Sequence, residues 1–155
     1  MDIMVRRANM GDVNGITRIL RELLWFEEID SESALETETR VLERLMLCQA
    51  DLSHTVYIAE GDDGQVMGYA NVHWLPYFYL KGLEGFISEL FILEEHRGKG
   101  IGTLLLESIK QEAVDRGCSR LKLINMHKKE SYHREFYKKL GWEEKDGDFS
   151  FEYSL

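Results

Sequence analysis

The chain has 155 residues, 44% of them hydrophobic, with one proline and a formal net charge of −9 at pH 7. This length suits one domain, so residues 1–155 are expected to form a single domain rather than two. The composition opposes disorder, and no apolar run approaches the ~20 residues of a membrane span. The acidic balance opposes nucleic-acid binding and attracts cations. We therefore expect a small cationic partner, and neither nucleic acid nor a membrane.

The N-terminus and the cysteines indicate the compartment. Residues 1–7 lack the apolar core of a signal peptide, which predicts a cytoplasmic location. Cys48 and Cys118 lie far apart without metal-type spacing. Reduced thiols and no metal are therefore expected.

The first third of the chain predicts a strand and two helices. Residues 3–7 form a short β-rich run, and Asp12 is placed to cap the helix that follows. The apolar positions of that helix repeat on one face, at Val13, Ile16, Leu20, Leu23 and Leu24. An acidic stretch follows, and a second helical pattern runs through Val41 to Met46.

The middle of the chain predicts a β-hairpin and an aromatic connection. Residues 55–60 and 65–74 are β-rich and flank the turn sequence Gly-Asp-Asp-Gly, which favours antiparallel pairing. The connection at residues 73–82 contains His73, Trp74 and Tyr77. Core packing, an acceptor pocket and a contact between two copies all suit such a segment, so a homodimer stays open.

Residues 86–103 carry the most informative pattern, an apolar strand, a turn with three glycines and the start of a helix. The first N–H groups of a helix have no intrahelical partner, and glycines let a ligand approach them, so this turn favours a phosphate or pyrophosphate. Lys99 is followed by Gly100, which excludes a Walker loop, and Thr103 occupies the place of the last glycine in the dinucleotide fingerprint.

The last third predicts a parallel strand, a helix and a terminal hairpin. The helix from Ile101 ends near Gly117, and the strand at residues 120–125 follows it, so strand, crossover helix and strand imply a parallel pair. Ser131 is placed to cap a helix that runs to Leu140. Residues 142–145 and 149–155 are expected to pair as the final strands.

Two motifs resemble those of the GNAT superfamily of acetyl-CoA-dependent N-acetyltransferases. The first is Arg97-x-x-Gly100-x-Gly102, directly after the strand, and the second is Phe136-Tyr137-x-x-x-Gly141-Trp142, with tryptophan in place of the usual phenylalanine. The order of predicted elements resembles the family over nearly the whole chain. The fold expected is α/β, a single domain with a central, mixed and mostly antiparallel sheet of about seven strands and helices on both faces.

The resemblance also implies a binding site for acetyl-CoA as co-substrate. The strand backbone would pair with the pantetheine arm, and the glycine turn would take the pyrophosphate. The usual family asparagine is replaced by Glu130, so Asn125 is a substitute candidate. The donor-binding residues expected are Leu90, Phe91, Ile92, Arg97, Gly98, Lys99, Gly100, Ile101, Gly102, Thr103 and Asn125.

Two residues are candidates for the chemistry. A carboxylate within an apolar strand is costly to bury without purpose, and Glu89 falls where many family members place the base that deprotonates the amine. Tyr137 is the corresponding candidate for the acid that protonates the leaving thiolate. His73, His127 and His133 are alternative bases because their reference pKa lies near neutrality, although none holds a family position.

The resemblance implies that the first two helices and their connection form a wall of the acceptor site, and the aromatic connection is a further candidate for its lining. Its candidates are Trp25, Phe26, Glu27, Glu28, His73, Trp74 and Tyr77. The predicted function is transfer of an acetyl group to a primary amine, with a small cationic molecule as acceptor. Acetylation of a protein N-terminus or lysine is the alternative within this class, and a catalytically silent acyl-CoA-binding module is the alternative outside it.

Overall fold

The computed structural model of the protein describes residues 2–125, 129–145 and 151–155, with the backbone alone at residues 132 and 133. By internal contacts the chain divides into two compact units, Met1–Leu123 and Ile124–Leu155. The strands are β1 (Met4–Arg7), β2 (His54–Glu60), β3 (Val66–Leu75), β4 (Glu84–Ile92) and β5 (Arg120–Leu123). The helices are α1 (Val13–Leu23), α2 (Glu27–Ser31), α3 (Ala34–Ala50), α4 (Ile101–Asp115), α5 (Glu130–His133) and α6 (Phe136–Lys139).

The first unit is a mixed sheet in the order β1-β2-β3-β4-β5. The first three neighbouring pairs are antiparallel, and β4 and β5 are parallel, joined by α4. The mixed, mostly antiparallel sheet of the prediction is confirmed, but it has five strands in the described residues rather than about seven. The predicted hairpin is also confirmed, and residues 61–64 form its turn.

Helices pack on both faces of this sheet, as the alternation of side chains along a strand requires. Val56 and Ile58 of β2 point to the face covered by α1 and α3, where they join one apolar cluster with Ile16 and Leu45. The intervening residues of β2 point to the opposite face, where Tyr57 meets α4. The sheet therefore separates two apolar layers, one covered by α1 and α3 and the other by α4.

A buried carboxylate fastens α4 to the sheet. Glu112 accepts hydrogen bonds from Tyr57 at 2.6 Å, Thr55 at 3.0 Å and Arg116 at 2.6 Å, and it pairs with Arg7 at 3.2 Å. Burial raises the pKa of Glu112, but the hydrogen bonds from Tyr57, Arg116 and Thr55 lower it by more, so the net pKa lies below its ordinary value. The ionised carboxylate is thus the form that the folded state favours.

Some sequence predictions about helices and their caps were wrong. Asp12 makes no capping bond to α1; its carboxylate instead accepts from the backbone N–H of Asn9 and pairs with Arg6. The predicted helix from Ser131 to Leu140 is two short helices, because Glu135 adopts a left-handed conformation with φ of 56°. Ser131 donates to the side chain of Asn125 rather than capping a helix.

The predicted terminal hairpin is not formed by the residues that the structure describes. Residues 142–145 and 151–155 have no regular secondary structure, whereas residues 146–150 lie outside the described ranges. Within those ranges, no helix combines the length and apolar composition that crossing a bilayer requires. No group of three or more potential metal ligands occurs there either.

The Glu112 cluster predicts a large effect of Glu112→Ala on stability. The substitution leaves Tyr57, Thr55 and two arginines without their common acceptor, so the free energy of unfolding should fall by about 2–4 kcal/mol at pH 7. Urea unfolding followed by circular dichroism measures this. Glu107→Ala, at an exposed position of the same helix, is the control and should change stability by less than about 0.5 kcal/mol.

The Glu112 cluster also predicts how the stability difference between wild type and Glu112→Ala depends on pH. A carboxyl whose pKa is depressed by folding stabilises the protein above its unfolded pKa of about 4.3, and this stabilisation is lost as pH falls through the folded pKa. The difference between wild type and Glu112→Ala should therefore shrink in acid. A difference that stays constant from pH 7 to pH 3 contradicts the assignment.

Candidate active site

The central strand β4 continues beyond the end of its parallel neighbour. Pairing between β4 and β5 ends at Ile87 and Leu123, while pairing between β4 and β3 continues to Ile92. Residues 88–92 therefore have a strand partner on one edge only among the described residues. The Ile92 carbonyl at this edge accepts a hydrogen bond from Arg97 Nε at 3.2 Å. The other N–H and C=O groups that point to this edge have no strand partner among the described residues and suit an extended ligand.

A β-bulge lies at the start of this one-sided segment. The register of β3 and β4 passes from Asn71 opposite Glu89 to Val72 opposite Ile87, and Ser88 has no opposite residue. A bulge inserts one residue into a strand and re-aims the neighbouring side chains. Here it places the side chains of Ser88 and Glu89 together, both in contact with Asn71.

Glu89 is held at both carboxylate oxygens by uncharged donors. The Tyr69 hydroxyl donates to Oε1 and the Asn71 amide donates to Oε2, each at 3.0 Å. Burial, together with the charge and hydrogen bond of Glu89, raises the pKa of Tyr69 well above its usual range. Tyr69 therefore stays a neutral donor at every working pH.

The two fully buried glutamates of the described residues have a different environment. Glu84 pairs with Arg120 at 2.7 Å, and Glu112 pairs with Arg7 and Arg116. An arginine beside a carboxylate stabilises its charge and makes it a poorer proton acceptor. No lysine or arginine of the described residues forms an ion pair with Glu89, so Glu89 is oriented without being neutralised.

Two imidazoles extend this polar group along the same face of the sheet. His73 lies two residues beyond Asn71, and its Nε2 is 2.8 Å from the Ser88 hydroxyl oxygen. The ring of His73 stacks on His54, with centroids 5.5 Å apart. Burial and the nearby His54 lower the pKa of His73, although Glu89 acts in the opposite direction. His73 is thus predominantly neutral at neutral pH.

An aromatic cluster borders Glu89 on the other side. The ring of Phe91 contacts Tyr69 at 5.8 Å, Trp25 at 5.8 Å and Phe26 at 5.5 Å between centroids. Tyr69 therefore connects Glu89 directly to this cluster. The guanidinium of Arg97 lies 5.5 Å from the centroid of the Trp25 ring, which ties the start of the glycine turn to the same aromatic wall.

A cavity of about 510 Å³ opens beside Trp25. Its apolar lining comes from Ile19, Leu23, Trp25 and Leu93, and its charged lining comes from Glu22, Glu94, Glu95 and Arg97. Glu22 and Glu95 both pair with Arg18, at 2.7 and 3.3 Å. The excess of carboxylates gives this wall a negative character.

The glycine turn has the geometry that its sequence predicts. Gly98 and Gly100 have φ of 75° and 82°, in the left-handed region, and a Cβ at either position would meet no other group within 4 Å. Gly100 precedes α4 and provides no side-chain cap, so the first N–H groups of this 15-residue helix face outward. Nζ of Lys99 lies 3.4 Å from Nδ1 of His96, and this contact positions the lysine side chain at the turn.

The second unit contains the remaining predicted residues. Tyr137 contacts Phe136 and Trp142 edge to face, with centroids 4.9 and 6.0 Å apart, and burial raises the pKa of Tyr137 to about 12. Asn125 accepts a hydrogen bond from Ser131 at 3.0 Å. The alternative base His127 and the side chain of His133 lie outside the described residues.

The structure does not bring every predicted acceptor residue to Glu89. Trp74 is 4% exposed and points to the opposite face, where its indole N–H donates to Thr55. Tyr77 lies in the connection between β3 and β4 with its ring stacked on Tyr79. Glu27 and Glu28 are exposed on α2. Of the predicted acceptor residues, Trp25, Phe26 and His73 approach the Glu89 group, which consists of Glu89, Tyr69, Asn71 and Ser88.

Three members of the Glu89 group are not predicted from the sequence. Tyr69 and Asn71 contact the carboxylate directly, and Ser88 occupies the bulge. One signal was present, because polar groups alternate at positions 69, 71 and 73 of an otherwise apolar strand. Period-two polarity on a central strand indicates a polar strip on one face.

Curated relatives include amine acetyltransferases. The chain is 30% identical over 128 residues to a thialysine N-epsilon-acetyltransferase of Bos taurus, covering 78% of this chain and 73% of the relative. It is 32% identical over 84 residues to an aminoglycoside N(6')-acetyltransferase type 1 of Stenotrophomonas maltophilia, covering 52% and 54% of the two chains.

Solved structures share the fold, and a family match covers most of the sequence. A transcriptional regulator from Bacillus halodurans C-125 superposes with a TM-score of 0.84 at 19% identity, covering 98% of this chain and 100% of that one. Residues 18–142 match the acetyltransferase (GNAT) family. The resemblance indicated by the two sequence motifs is confirmed, and this chain belongs to the acetyltransferase (GNAT) family.

Proposed function

We propose that this acetyltransferase transfers the acetyl group of acetyl-CoA to the primary amine of a small cationic molecule, with Glu89 as the base. The observation that carries the proposal is the carboxylate of Glu89 at the bulge of β4, held by two neutral donors at the start of the one-sided strand segment. An enzyme of this class needs a proton acceptor beside a bound donor, and Glu89 lies at the start of the strand segment that suits the donor.

The residues around β4 suit the co-substrate acetyl-CoA. The backbone edge of Leu90, Phe91 and Ile92 that lacks a strand partner can pair with the amide groups of a pantetheine arm, apart from the Ile92 carbonyl, which accepts from Arg97. An N–H there can stabilise the thioester oxygen. The glycine turn and the first N–H groups of α4 suit the pyrophosphate. This part of the proposal assigns Arg97, Gly98, Lys99, Gly100, Ile101, Gly102 and Thr103 to the donor, with Asn125 as a further candidate.

The proposed reaction is a direct transfer. Glu89 accepts a proton from the ammonium of the acceptor, directly or through water, and the neutral amine attacks the thioester carbonyl. The C–S bond breaks, the amide C–N bond forms, and the thiolate leaves. Tyr137 is assigned to this thiolate on the strength of the second motif, as the group that stabilises or protonates it.

The raised pKa of Tyr137 refines its role. A thiol has a reference pKa of about 8.5, so full transfer of a proton from a phenol with a pKa of about 12 costs about 5 kcal/mol. A hydrogen bond to the developing thiolate carries no such cost. We therefore propose Tyr137 as a hydrogen-bond donor, with the proton released by the amine completing the thiol.

The charge near the site supports a cationic acceptor. Trp25 and the carboxylates of Glu22, Glu94 and Glu95 line the cavity beside the aromatic cluster, in a chain of net charge −9. Two relatives are named for amine acceptors, thialysine and an aminoglycoside.

A panel of thialysine, spermidine, kanamycin and a short peptide, each assayed with acetyl-CoA by the thiol released, tests the proposal. Acetylation of the peptide alone favours a protein acceptor, and no acetylation with intact acetyl-CoA binding favours a binding module.

We also propose that both units belong to one acetyltransferase domain, because the family match at residues 18–142 spans their boundary. A cytoplasmic location is also part of the proposal, and a homodimer stays open.

Gly100→Val should abolish detectable binding of acetyl-CoA in a calorimetric titration. A β-branched residue is strained at a φ of 82°, and its side chain obstructs approach to the N–H groups of α4. Gly64→Val is a matched control, since Gly64 has a φ of 75° in the β2–β3 turn and equally open surroundings. The control should be destabilised to a similar degree yet bind acetyl-CoA normally. Equal affinity in both variants removes the pyrophosphate assignment.

Glu89→Gln should lower kcat by ~10² or more with little change in acetyl-CoA affinity, because it removes the proton acceptor and keeps the shape of the side chain. Steady-state kinetics with the best amine of the panel measures this. Glu107→Gln, at an exposed position of α4, is the control and should match wild type. Undiminished turnover of Glu89→Gln from pH 6 to pH 9 rules out Glu89 as the base.

Tyr137→Phe should lower kcat by about ten-fold to a hundred-fold, the effect of losing one hydrogen bond to a developing charge. The ring and its contacts with Phe136 and Trp142 are retained, so thermal stability should change little. Since the pKa of Tyr137 is raised to about 12, its ionisation should produce no fall in wild-type rate below pH 10. Full turnover of the variant, with chemistry rate-limiting, excludes the role.

A further inference from the structure

The bulge at Ser88 places a hydroxyl beside the proposed base. Ser88 has no opposite residue in β3, and it is exposed. Its hydroxyl contacts His73 Nε2 and the backbone carbonyl of Asn71, while the Asn71 side chain donates to Glu89. Asn71 and His73 point to the same face of β3, because they are two residues apart. The hydroxyl of Ser88 and the carboxylate of Glu89 therefore share that face.

The hydrogen bonds of Ser88 leave its oxygen able to accept another. If its single proton is donated to the Asn71 carbonyl at 3.4 Å, then His73 donates at 2.8 Å and uses one of the two lone pairs. If the proton is donated to His73 instead, both lone pairs are left. In either tautomer of His73, at least one acceptor position of Ser88 has no partner among the described residues.

We propose that Ser88 binds the acceptor amine, its oxygen accepting one N–H of a primary ammonium while Glu89 accepts another, and that His73 holds the hydroxyl in this orientation. The inference rests on the proposed function, since it deepens the assignment of the same site. A primary ammonium has three N–H groups and satisfies both acceptors at once.

The charge state of His73 adds a pH dependence to this arrangement. The titratable groups that face His73 are His54 from β2 and Glu89 from β4. A neutral His73 leaves the acceptor site negative, whereas a protonated His73 places a positive charge beside the ammonium. The KM for the amine should therefore rise as pH falls through the lowered pKa of His73, without a matching change in the KM for acetyl-CoA.

The test is steady-state kinetics of Ser88→Ala with the best acceptor among thialysine, spermidine and kanamycin. The KM for that amine should rise by about ten-fold or more, the KM for acetyl-CoA should stay within about two-fold, and Ser88→Thr should restore the wild-type value. Ser108→Ala, on α4, is the control and should match wild type. His73→Gln should remove the acid-side rise in KM, since an amide does not titrate.

The outcomes separate this inference from the proposed function. If wild type acetylates amines, Glu89→Gln is slow and Ser88→Ala has an unchanged KM for the amine, only the role of Ser88 is overturned. A rise in the KM for acetyl-CoA instead of the amine also overturns it, because Ser88 then contacts the donor. If wild type acetylates none of the three amines, the proposed function fails and the inference fails with it.

Discussion

The early end of the pairing between β4 and β5 is the constraint on which the rest of the site depends. A central strand normally exchanges hydrogen bonds on both edges, and an unpaired polar backbone is costly once water is excluded. Here β5 ends at Leu123, opposite Ile87, and β4 continues to Ile92. The unpaired edge, the bulge at Ser88 and the glycine turn then follow one another within fifteen residues of chain. In the proposed binding mode, acetyl-CoA would lie along β4 in place of the missing strand and reach the N-terminus of α4.

The partners of the acidic side chains separate structure from chemistry. Glu84 and Glu112 are buried with arginines, and their charges fasten β5 and α4 to the sheet. An arginine beside a carboxylate lowers its pKa and makes it a poorer proton acceptor. Glu89 is oriented by a phenol and an amide instead. Neutral hydrogen bonds fix the direction of its lone pairs and leave its charge available to an approaching cation.

Local signals in the sequence were sufficient for much of the fold. The hairpin turn at residues 61–64, the glycine turn and the apolar stripe of α4 each depend on neighbouring residues, and all three are observed. The two motifs also predicted the family. Asp12 shows the limit of such reasoning, because its position favoured a helix cap, whereas Arg6 from β1 competes for the same carboxylate. A contact between distant residues cannot be read from local spacing.

The same limit explains which site residues were missed. Glu89 was found because a charged residue in an apolar strand is conspicuous, but its donors lie on β3, eighteen and twenty positions earlier. Their identification requires the register of two strands, and the bulge at Ser88 shifts that register by one residue. Trp74 is a wrong prediction with the same cause. Alternation along β3 places it on the other face of the sheet from His73, in the layer that α4 covers. A single residue of register decides which side chains of β3 lie beside Glu89.

The aromatic cluster links the proposed acceptor wall to Glu89, the proposed base. Phe91 contacts Trp25 and Phe26 from the segment before α2, and it also contacts Tyr69, which donates to Glu89. The helix α2 has only five residues, so packing against Phe91 contributes to the position of this segment. Arg21 adds directional contacts to the backbone carbonyls of Ile29 and Glu32 at 3.4 and 3.2 Å. If the acceptor binds at Trp25, as proposed, a displacement of Trp25 would reach Tyr69 through Phe91, and the hydroxyl of Tyr69 orients the proposed base. Through this path, the shape of the acceptor can influence the rate of proton removal as well as the affinity.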